Sequence, residues 1–371
     1  MKVLMAEQFL PQNTYTLELC KALRHHAELT IFCKKGAEVS LEGVRWKPCF
    51  YEGGKNPGAA VLAYGKGLLK LAQEVNCAEY DVVHVQNFKD ARHEIPIYCR
   101  VKPDKVLAHT VHNLLPHEAA PADRELYRRL YQRSDLLVVH NLHCRKLLMD
   151  EYQIEESKIC VMPHGSYTQT QTSPARRWDT KQVHFLQFGA LRKYKGVDIL
   201  LEALALLPGQ ARQQIHVTIA GAQYPKLDGT DYEGMVQKLH LQDIVTLRRT
   251  HVPDAELDAL YQDTDICLFP YREIYGSGAL LMAYSYGKPV IASDIPVFQE
   301  ETENGKAGLL FASEQPEQLK NAILQTLGWS GQTYQTCQQE IQTLVQEKYN
   351  WERSAKQLAE AYQKAWARKN K

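Results

Sequence analysis

The sequence predicts an α/β protein built from two doubly wound domains, each a parallel sheet covered by helices. The chain has 371 residues, about the length of two typical domains. Strand-like apolar runs alternate with helix-like segments along the chain, which is typical of a parallel sheet. A polar stretch without periodicity, residues 168–182, divides this alternation into two series.

The first series predicts an N-terminal domain over residues 1–167. Its strand-like runs are KVLMA, AELTIFC, YDVVHVQ, KVLAHTVHN, DLLVVHN and KICVMPHG. Helix-like segments such as NPGAAVLAYGKGLLKLAQEV and ADRELYRRLYQR lie between them. The series ends near Tyr167, so residues 168–182 are predicted to be the interdomain linker.

The second series predicts a C-terminal domain over residues 183–345. Its strand-like runs are VHFLQFGAL, IHVTIAGA, IVTLRRT, DICLFPY, KPVIASD and AGLLFA, with helix-like segments such as GVDILLEALALL and GALLMAYSYG between them. Residues 346–371 hold one more amphipathic helix, beyond this domain's own set.

Composition excludes several classes of protein. The net charge of +1 gives no broad basic field for nucleic acid. The nine cysteines form no CxxC pair, which favours free thiols in a reducing cytosol. MKVLMAEQFLPQ is too short an apolar run for a signal peptide, and no segment approaches a membrane span. We therefore expect a cytoplasmic protein.

One candidate ligand site follows the first strand of the second series, in FGALRKYKGVDILLEAL. Gly189 allows a tight turn, and Arg192 and Lys195 lie three residues apart at the start of a helix. Two cations at a helix N-terminus are unfavourable unless an anion lies between them. A diphosphate is the natural ligand, and a solvated basic turn is the alternative.

A second candidate loop is YGSGALLMAYSYG. Gly276 and Gly278 permit close backbone approach to a ligand, and Ser277 can cap the helix or donate to phosphate. Because many helices begin in this way, the loop gains meaning only beside the first motif.

In order and spacing, these segments resemble the retaining nucleotide-sugar glycosyltransferases of the GT-B fold, glycosyltransferase family 4 and its relatives. VTIAGA, HVPDAELDALYQDTDICLFPY, GKAGLLF, DVVHVQ, TVHN and KICVMPHG also carry the resemblance. It implies two Rossmann-like domains facing a central cleft, with the C-terminal helix packing back on the first. It also implies hexose transfer from a UDP- or GDP-linked sugar, with retention and without a metal or other cofactor.

The resemblance also implies roles for individual residues. Lys195 matches the family's pyrophosphate-binding lysine. Ala190 stands where the family has an arginine, and Arg192 is within reach to replace it. His112 matches the histidine near the transferred sugar, which makes His112, Arg192 and Lys195 the catalytic candidates. The backbone amides of residues 276–278 match the segment that faces the sugar and the diphosphate.

The sequence departs from the family at two places. The family's E-x7-E glutamates would fall at Ile274 and Met282, and Glu273 is the candidate to contact the sugar instead. The sequence resembles a subgroup that has PYRxIxxSG and lacks the glutamate pair. PQNTY stands in place of the N-terminal Gly-Gly loop, which makes Asn13 and Tyr15 candidates there.

The acceptor predicted from the resemblance is a growing surface polysaccharide or a lipid-linked saccharide. His164 ends the last strand of the first domain and is a candidate for a hinge or for a ligand contact. The helix ELYRRLYQR is either an ordinary surface helix or one that lies on an anionic membrane. Peripheral contact with the inner face of the membrane is therefore an open alternative.

Two motifs suggest metals but favour structural roles. Asp263 and Asp265 form a DTD sequence before a strand, where they are expected to cap secondary structure. HTVHNLLPHE suggests zinc, but an offset of three residues places His109 and His112 on opposite faces of a strand. We therefore predict no metal site.

Two other functions remain open. A nucleotide-sugar epimerase of the same fold would need carboxylates around the sugar, and the predicted site has few. A non-catalytic subunit that binds nucleotide sugars would explain the loss of both glutamates. GxSxG, HExxH, Walker A and GxGxxG motifs are absent from the sequence, which argues against the enzyme classes they define.

Overall fold

The computed structural model describes residues 1–10, 14–36, 41–50, 57–116, 119–167, 178 and 182–370. The chain divides into two compact units, Met1–Gly165 together with Tyr349–Lys371, and Ser166–Lys348. The predicted domains ended at residues 167 and 345, a few residues from these boundaries. Most of the predicted linker lies outside the described residues.

The strands form one parallel sheet in each unit. The first unit contains β1 (Lys2–Ala6), β2 (Glu28–Lys34), β3 (Val44–Phe50), β4 (Val82–Val85), β5 (Val106–Thr110), β6 (Leu136–Val139) and β7 (Ile159–Val161). The second contains β8 (Val183–Phe188), β9 (Ile215–Ala220), β10 (Val245–Arg248), β11 (Ile266–Phe269), β12 (Val290–Ser293) and β13 (Gly308–Phe311).

Helices separate the strands along the chain. In the first unit they are α1 (Thr14–Leu23), α2 (Pro57–Glu74), α3 (Ala91–Tyr98), α4 (Pro121–Arg133) and α5 (Leu142–Tyr152). In the second they are α6 (Val197–Ala205), α7 (Gly209–Arg212), α8 (Tyr232–Lys238), α9 (Asp254–Gln262), α10 (Gly278–Ser285), α11 (Pro296–Glu301), α12 (Pro316–Leu327) and α13 (Gly331–Glu347). Helix α14 (Trp351–Lys369) belongs to the first unit.

Strand order determines where a ligand can bind. It is β3-β2-β1-β4-β5-β6-β7 in the first sheet and β10-β9-β8-β11-β12-β13 in the second. The order reverses at β1/β4 and at β8/β11, and ligands of such sheets bind beyond the carboxyl ends of the strands at this point. Because β8 pairs with β11, the loops that follow these two strands meet.

The core of the first unit includes α14. Ala355, Leu358 and Tyr362 of this helix are fully buried in the same apolar cluster as strands β1 and β5. The side chain of Asn350 caps the helix by accepting from the backbone N–H of Arg353 at 3.1 Å. The amphipathic pattern of the last 26 residues therefore reflects packing against the first unit.

Strand β3 and helices α3, α7, α11 and α13 are absent from the predicted elements. Strand β3 contains Pro48, which argues against a strand by sequence alone. It lies at the edge of the sheet, where a residue without an N–H group is tolerated. Helix α3 likewise contains Pro96, which weakens its sequence pattern.

Candidate functional site

The turn after β8 depends on two glycines with positive φ. Gly189 has φ +115°, and a Cβ at this position would lie 2.5 Å from Nζ of Lys195. Gly196 has φ +64°, and a Cβ there would lie 1.9 Å from the carbonyl oxygen of Pro270. Only glycine fits either position, so the backbone holds the Lys195 side chain against the end of β8.

The ammonium group of Lys195 is largely shielded from solvent. The residue is 9% exposed, and Nζ lies 5.5 Å from the ring centroid of Tyr271. Burial, and then the positive charge of Arg192, lowers the pKa of Lys195 to about 8. Within the described ranges no carboxylate forms an ion pair with it. A buried cation of this kind is stabilised by a bound anion.

Arg192 lies half-buried at the start of the same turn. Its guanidinium carbon is 6.0 Å from the ring centroid of Tyr224. The charge of Arg192 lowers the pKa of Lys195. It also lowers the pKa of Asp228, although hydrogen bonds from Thr230 and Tyr232 lower that pKa more. The positive charge of Arg192 therefore reaches Lys195, three residues further along the chain.

Arg272 fastens the loop after β11 to this turn. Its guanidinium donates two hydrogen bonds to the carboxylate of Asp198, at 2.8 and 3.0 Å. It donates a third to the backbone oxygen of Lys193 at 2.7 Å, and its own backbone N–H donates to Tyr194 at 2.7 Å. The ion pair engages the Asp198 carboxylate in the first turn of α6, three residues beyond Lys195 in the chain.

The predicted Gly276–Gly278 loop leads into α10. Ser277 is the N-cap, and its Oγ accepts from the backbone N–H of Leu280 at 3.1 Å. Open space surrounds Gly276, whereas a Cβ on Gly278 would lie 2.8 Å from the Tyr167 hydroxyl. The loop therefore forms the N-terminus of α10, and Ser277 is its N-cap residue.

Glu301 lies against this loop. The backbone N–H of Ser277 donates to its carboxylate, so this amide is already engaged within the protein. Burial raises the pKa of Glu301 to about 8, against the lowering by the Ser277 hydrogen bond and the charge of Lys348. A carboxyl that stays protonated at neutral pH adds little negative charge beside the Gly276–Gly278 loop.

The positions of the family's two glutamates carry no acid. Ile274 and Met282 are both half-buried, and Glu273 is exposed on the loop. Asp265, part of the DTD motif, accepts from the backbone N–H of His184 at 2.8 Å. This hydrogen bond joins the start of β8 to the start of β11, which is a structural role.

At the carboxyl edge of the first sheet, aromatic and histidine side chains surround Tyr15. Ring centroids of His112, His164, Trp351 and His140 lie 4.7, 4.8, 5.1 and 5.2 Å from that of Tyr15. Strands β5, β6 and β7 and helices α1 and α14 thereby bring two predicted candidates, Tyr15 and His164, together with His112. Asn13 lies outside the described residues.

These histidines are neutral at physiological pH. Burial lowers the pKa of His140 to about 4 and that of His164 to about 3, and takes that of His112 well below its usual value. Nδ1 of His140 donates to the Met162 carbonyl at 3.0 Å. Its Nε2 is therefore an acceptor, and the Nε2 atoms of His112 and His140 are shielded from solvent without a hydrogen-bond partner among the described residues.

The zinc pattern of HTVHNLLPHE separates in the structure. His109 is buried, and its Nδ1 contacts the backbone oxygen of Val85 at 3.1 Å, whereas His112 joins the cluster around Tyr15. His117 and Glu118 lie outside the described residues. Over the residues that the structure describes, no group of three or more His, Cys, Asp or Glu side chains could hold a metal ion.

Family comparisons agree with this architecture. Residues 12–169 match the model of Glycosyltransferase Family 4, and residues 168–343 match that of Glycosyl transferases group 1. The chain belongs to this family of glycosyltransferases, as the motifs predicted. In the part of the chain that is described, no helix is long and apolar enough to cross a membrane.

Among curated proteins, the chain is 27% identical over 329 residues to a D-inositol 3-phosphate glycosyltransferase of Corynebacterium aurimucosum, covering 81% of this chain and 76% of that protein. The protein of the same name from Corynebacterium urealyticum is 27% identical over 264 residues, which are 66% of this chain and 60% of its own length.

Solved structures give the fold. Sucrose-phosphate synthase from Thermosynechococcus elongatus superposes with a TM-score of 0.77 at 18% identity, covering 99% of this chain and 100% of that one. Anabaena HepE in complex with UDP and glucose gives 0.74 at 16% identity, covering 97% and 98%. The predicted GT-B fold class is confirmed.

Sequence reasoning missed Arg272 and Glu301. Arg272 stands in PYREIYGSG beside a predicted site residue, but its partner Asp198 is 74 positions away in the chain. The adjacency of β8 and β11 could have indicated that these segments meet. Glu301 lies at the end of α11, and nothing in the sequence indicates that this helix packs against the Ser277 amide.

Proposed function

We propose that this protein transfers a hexose from a nucleoside-diphosphate sugar, UDP- or GDP-linked, to a glycan or lipid-linked saccharide. The observation that carries the proposal is Lys195, a shielded ammonium beside Arg192 at the carboxyl end of β8, which forms no ion pair with a described residue. Family membership favours a sugar transfer, and the HepE structures described with UDP support a UDP-linked donor for this chain as well.

The chemistry follows from where charge develops. Transfer breaks the bond between the anomeric carbon and the diphosphate, so negative charge grows on the leaving group and positive charge on the sugar. Arg192, Lys195 and the backbone amides of Gly276 and Gly278 would stabilise the leaving diphosphate. Because these groups supply the needed charge, the proposal requires no metal ion or other cofactor.

Retention of configuration is part of the proposal. The departing phosphate would take the proton from the acceptor hydroxyl as the new glycosidic bond forms on the same face of the sugar. His112 would hydrogen-bond near the transferred sugar as a neutral imidazole, and Glu273 would contact the sugar hydroxyls. Tyr15 and His164 would bind the acceptor at the edge of the first sheet, and Asn13 is proposed from the sequence alone for the same role.

The cellular setting is proposed with the activity. We expect synthesis of a surface polysaccharide or glycoconjugate by a cytoplasmic protein at the inner face of the membrane. The lipid-linked acceptor is what would bring it there.

A thermal-shift screen with UDP, GDP, ADP and their sugars tests the donor site. A ligand at 100 times its dissociation constant stabilises the fold by about 2.7 kcal/mol. Arg192→Ala with Lys195→Ala should abolish both the shift and the transfer. Lys193→Ala, which removes an exposed lysine of the same turn, is the matched control and should keep both.

Ile274 and Met282 favour a second candidate function, that of a non-catalytic subunit which binds nucleotide sugars. This subunit would show the thermal shift but neither transfer nor slow hydrolysis of any donor that it binds. Donor turnover without an acceptor, giving a new sugar epimer, would indicate the epimerase instead.

A further inference from the structure

We propose that helix α2 is a docking surface for an anionic lipid bilayer. Val61, Leu62 and Leu69 on this helix are 72%, 71% and 68% exposed. They are the three most exposed large hydrophobic side chains of the described residues. Three such residues on one helix form a contiguous apolar patch, and patches of this kind mark sites of interaction.

The patch lies on one side of α2. At 3.6 residues per turn, Leu62, Lys66 and Leu69 share a face, and Val61 and Lys70 lie to either side of it. Space around Gly65 is open, so the middle of the face is flat. An amphipathic helix of this kind can lie in the plane of a membrane interface.

The opposite side of α2 fixes the helix to the first unit. Leu71 is fully buried, and a Cβ on Gly67 would lie 3.0 Å from the Phe50 ring. Tyr64 donates to the carboxylate of Glu94 at 2.6 Å. The helix is therefore anchored through one face and presents the other to solvent, with no need to unfold before docking.

Charge selects the partner. Lys66 and Lys70 are exposed, and across the described part of the chain neither forms an ion pair with a carboxylate. Glu74, the one acidic residue of α2, forms an ion pair with Lys47 instead. Two unpaired cations beside apolar side chains fit anionic lipid headgroups. A second copy of the chain fits poorly, because a two-fold contact would place these lysines against each other.

Helix α4 is the contrast, since its ELYRRLYQR segment was the sequence candidate for membrane contact. Arg124 pairs with Glu151 at 2.6 Å and Arg129 with Glu125 at 3.3 Å. Leu130 of this helix is fully buried. Arg124, Arg128 and Arg129 thus have carboxylate partners, and the apolar face of the helix is covered, which leaves α4 as a surface helix.

Co-sedimentation of the purified full chain with vesicles tests the proposal. We expect binding to vesicles that contain phosphatidylglycerol, little binding to pure phosphatidylcholine, and weakening by salt. Leu62→Gln with Leu69→Gln should lower the partition at least tenfold. Lys66→Gln with Lys70→Gln should lower the partition about 25-fold, since each lysine contributes about fivefold at a charged surface.

Arg124→Gln with Arg129→Gln is the matched control, and it should bind vesicles as the parent does. All four α2 side chains are exposed, so unchanged circular dichroism and melting temperature are expected. Equal binding by the Leu62/Leu69 variant and the parent would overturn the proposal. So would a dimer that these leucine changes dissociate, because the patch would then serve self-association. The assay contains no donor, so its failure leaves the proposed transfer untouched.

Discussion

The carboxyl edges of the two sheets differ in charge: that of the second unit is positive and that of the first is neutral. In the second unit, Arg192 and Lys195 gather positive charge, and Arg272 forms an ion pair with the carboxylate of Asp198. In the first unit, His112, His140 and His164 are kept neutral by burial. One edge suits an anion and the other suits hydroxyl groups, which is the division expected between a diphosphate donor and a saccharide acceptor.

Removing Lys195, the shielded cation of the positive edge, should change nucleotide affinity the most. Lys195→Met is expected to lower nucleotide affinity about a hundredfold, because it leaves the diphosphate without its shielded cation. The same change should raise the melting temperature of the unliganded protein, since it removes a buried ammonium that pairs with no carboxylate of the described residues. Calorimetry of nucleotide binding and of unfolding measures both, and a destabilised variant that still binds nucleotide would contradict the assignment.

Arg272→Ala tests whether the cationic edge depends on the ion pair with Asp198. The freed carboxylate would compete with the diphosphate for Lys195, so nucleotide affinity should fall about tenfold. Asp198→Ala on top of Arg272→Ala should restore part of this loss, because the competing charge is gone. If the double variant binds no better than Arg272→Ala, the arginine acts only by holding the backbone of Lys193 and Tyr194.

The neutral histidines predict an acid limit to stability. Their folded-state pKa values lie below the ordinary 6.5, so below pH 6.5 the unfolded chain takes up protons that the folded chain does not. Stability should therefore fall as the pH is lowered from about 6.5 towards 4. Melting curves across this range measure the loss of stability. In His140→Gln, the melting temperature should fall less steeply with decreasing pH.

The sequence predicted the fold better than the contacts within the site. Alternation of apolar and amphipathic segments identified nearly every buried strand, because burial on both faces leaves a continuous apolar run. Gly189, Arg192 and Lys195 could be singled out because they are close in sequence. Arg272 and Glu301 could not, because their partners Asp198 and Ser277 lie on other elements, and only strand order brings these together.

Glu301 gives the smallest and most specific test. Its pKa of about 8 exceeds the ordinary carboxyl value of 4.5, so the folded state holds a proton that the unfolded state has lost between these pH values. Stability from this group is present below pH 4.5 and is lost as the pH rises through about 8.

Glu301→Gln should flatten this alkaline loss while keeping an acceptor for the Ser277 amide. Lys195 acts in the opposite direction, because its folded pKa is lowered to about 8 and unfolding takes up a proton between pH 8 and 10.5. Melting temperatures from pH 5.5 to 9 for the parent, Glu301→Gln and Lys195→Met separate the two groups. If Glu301→Gln leaves the curve unchanged, the carboxyl is ionised beside the loop, and the site is less cationic than its arginine and lysine suggest.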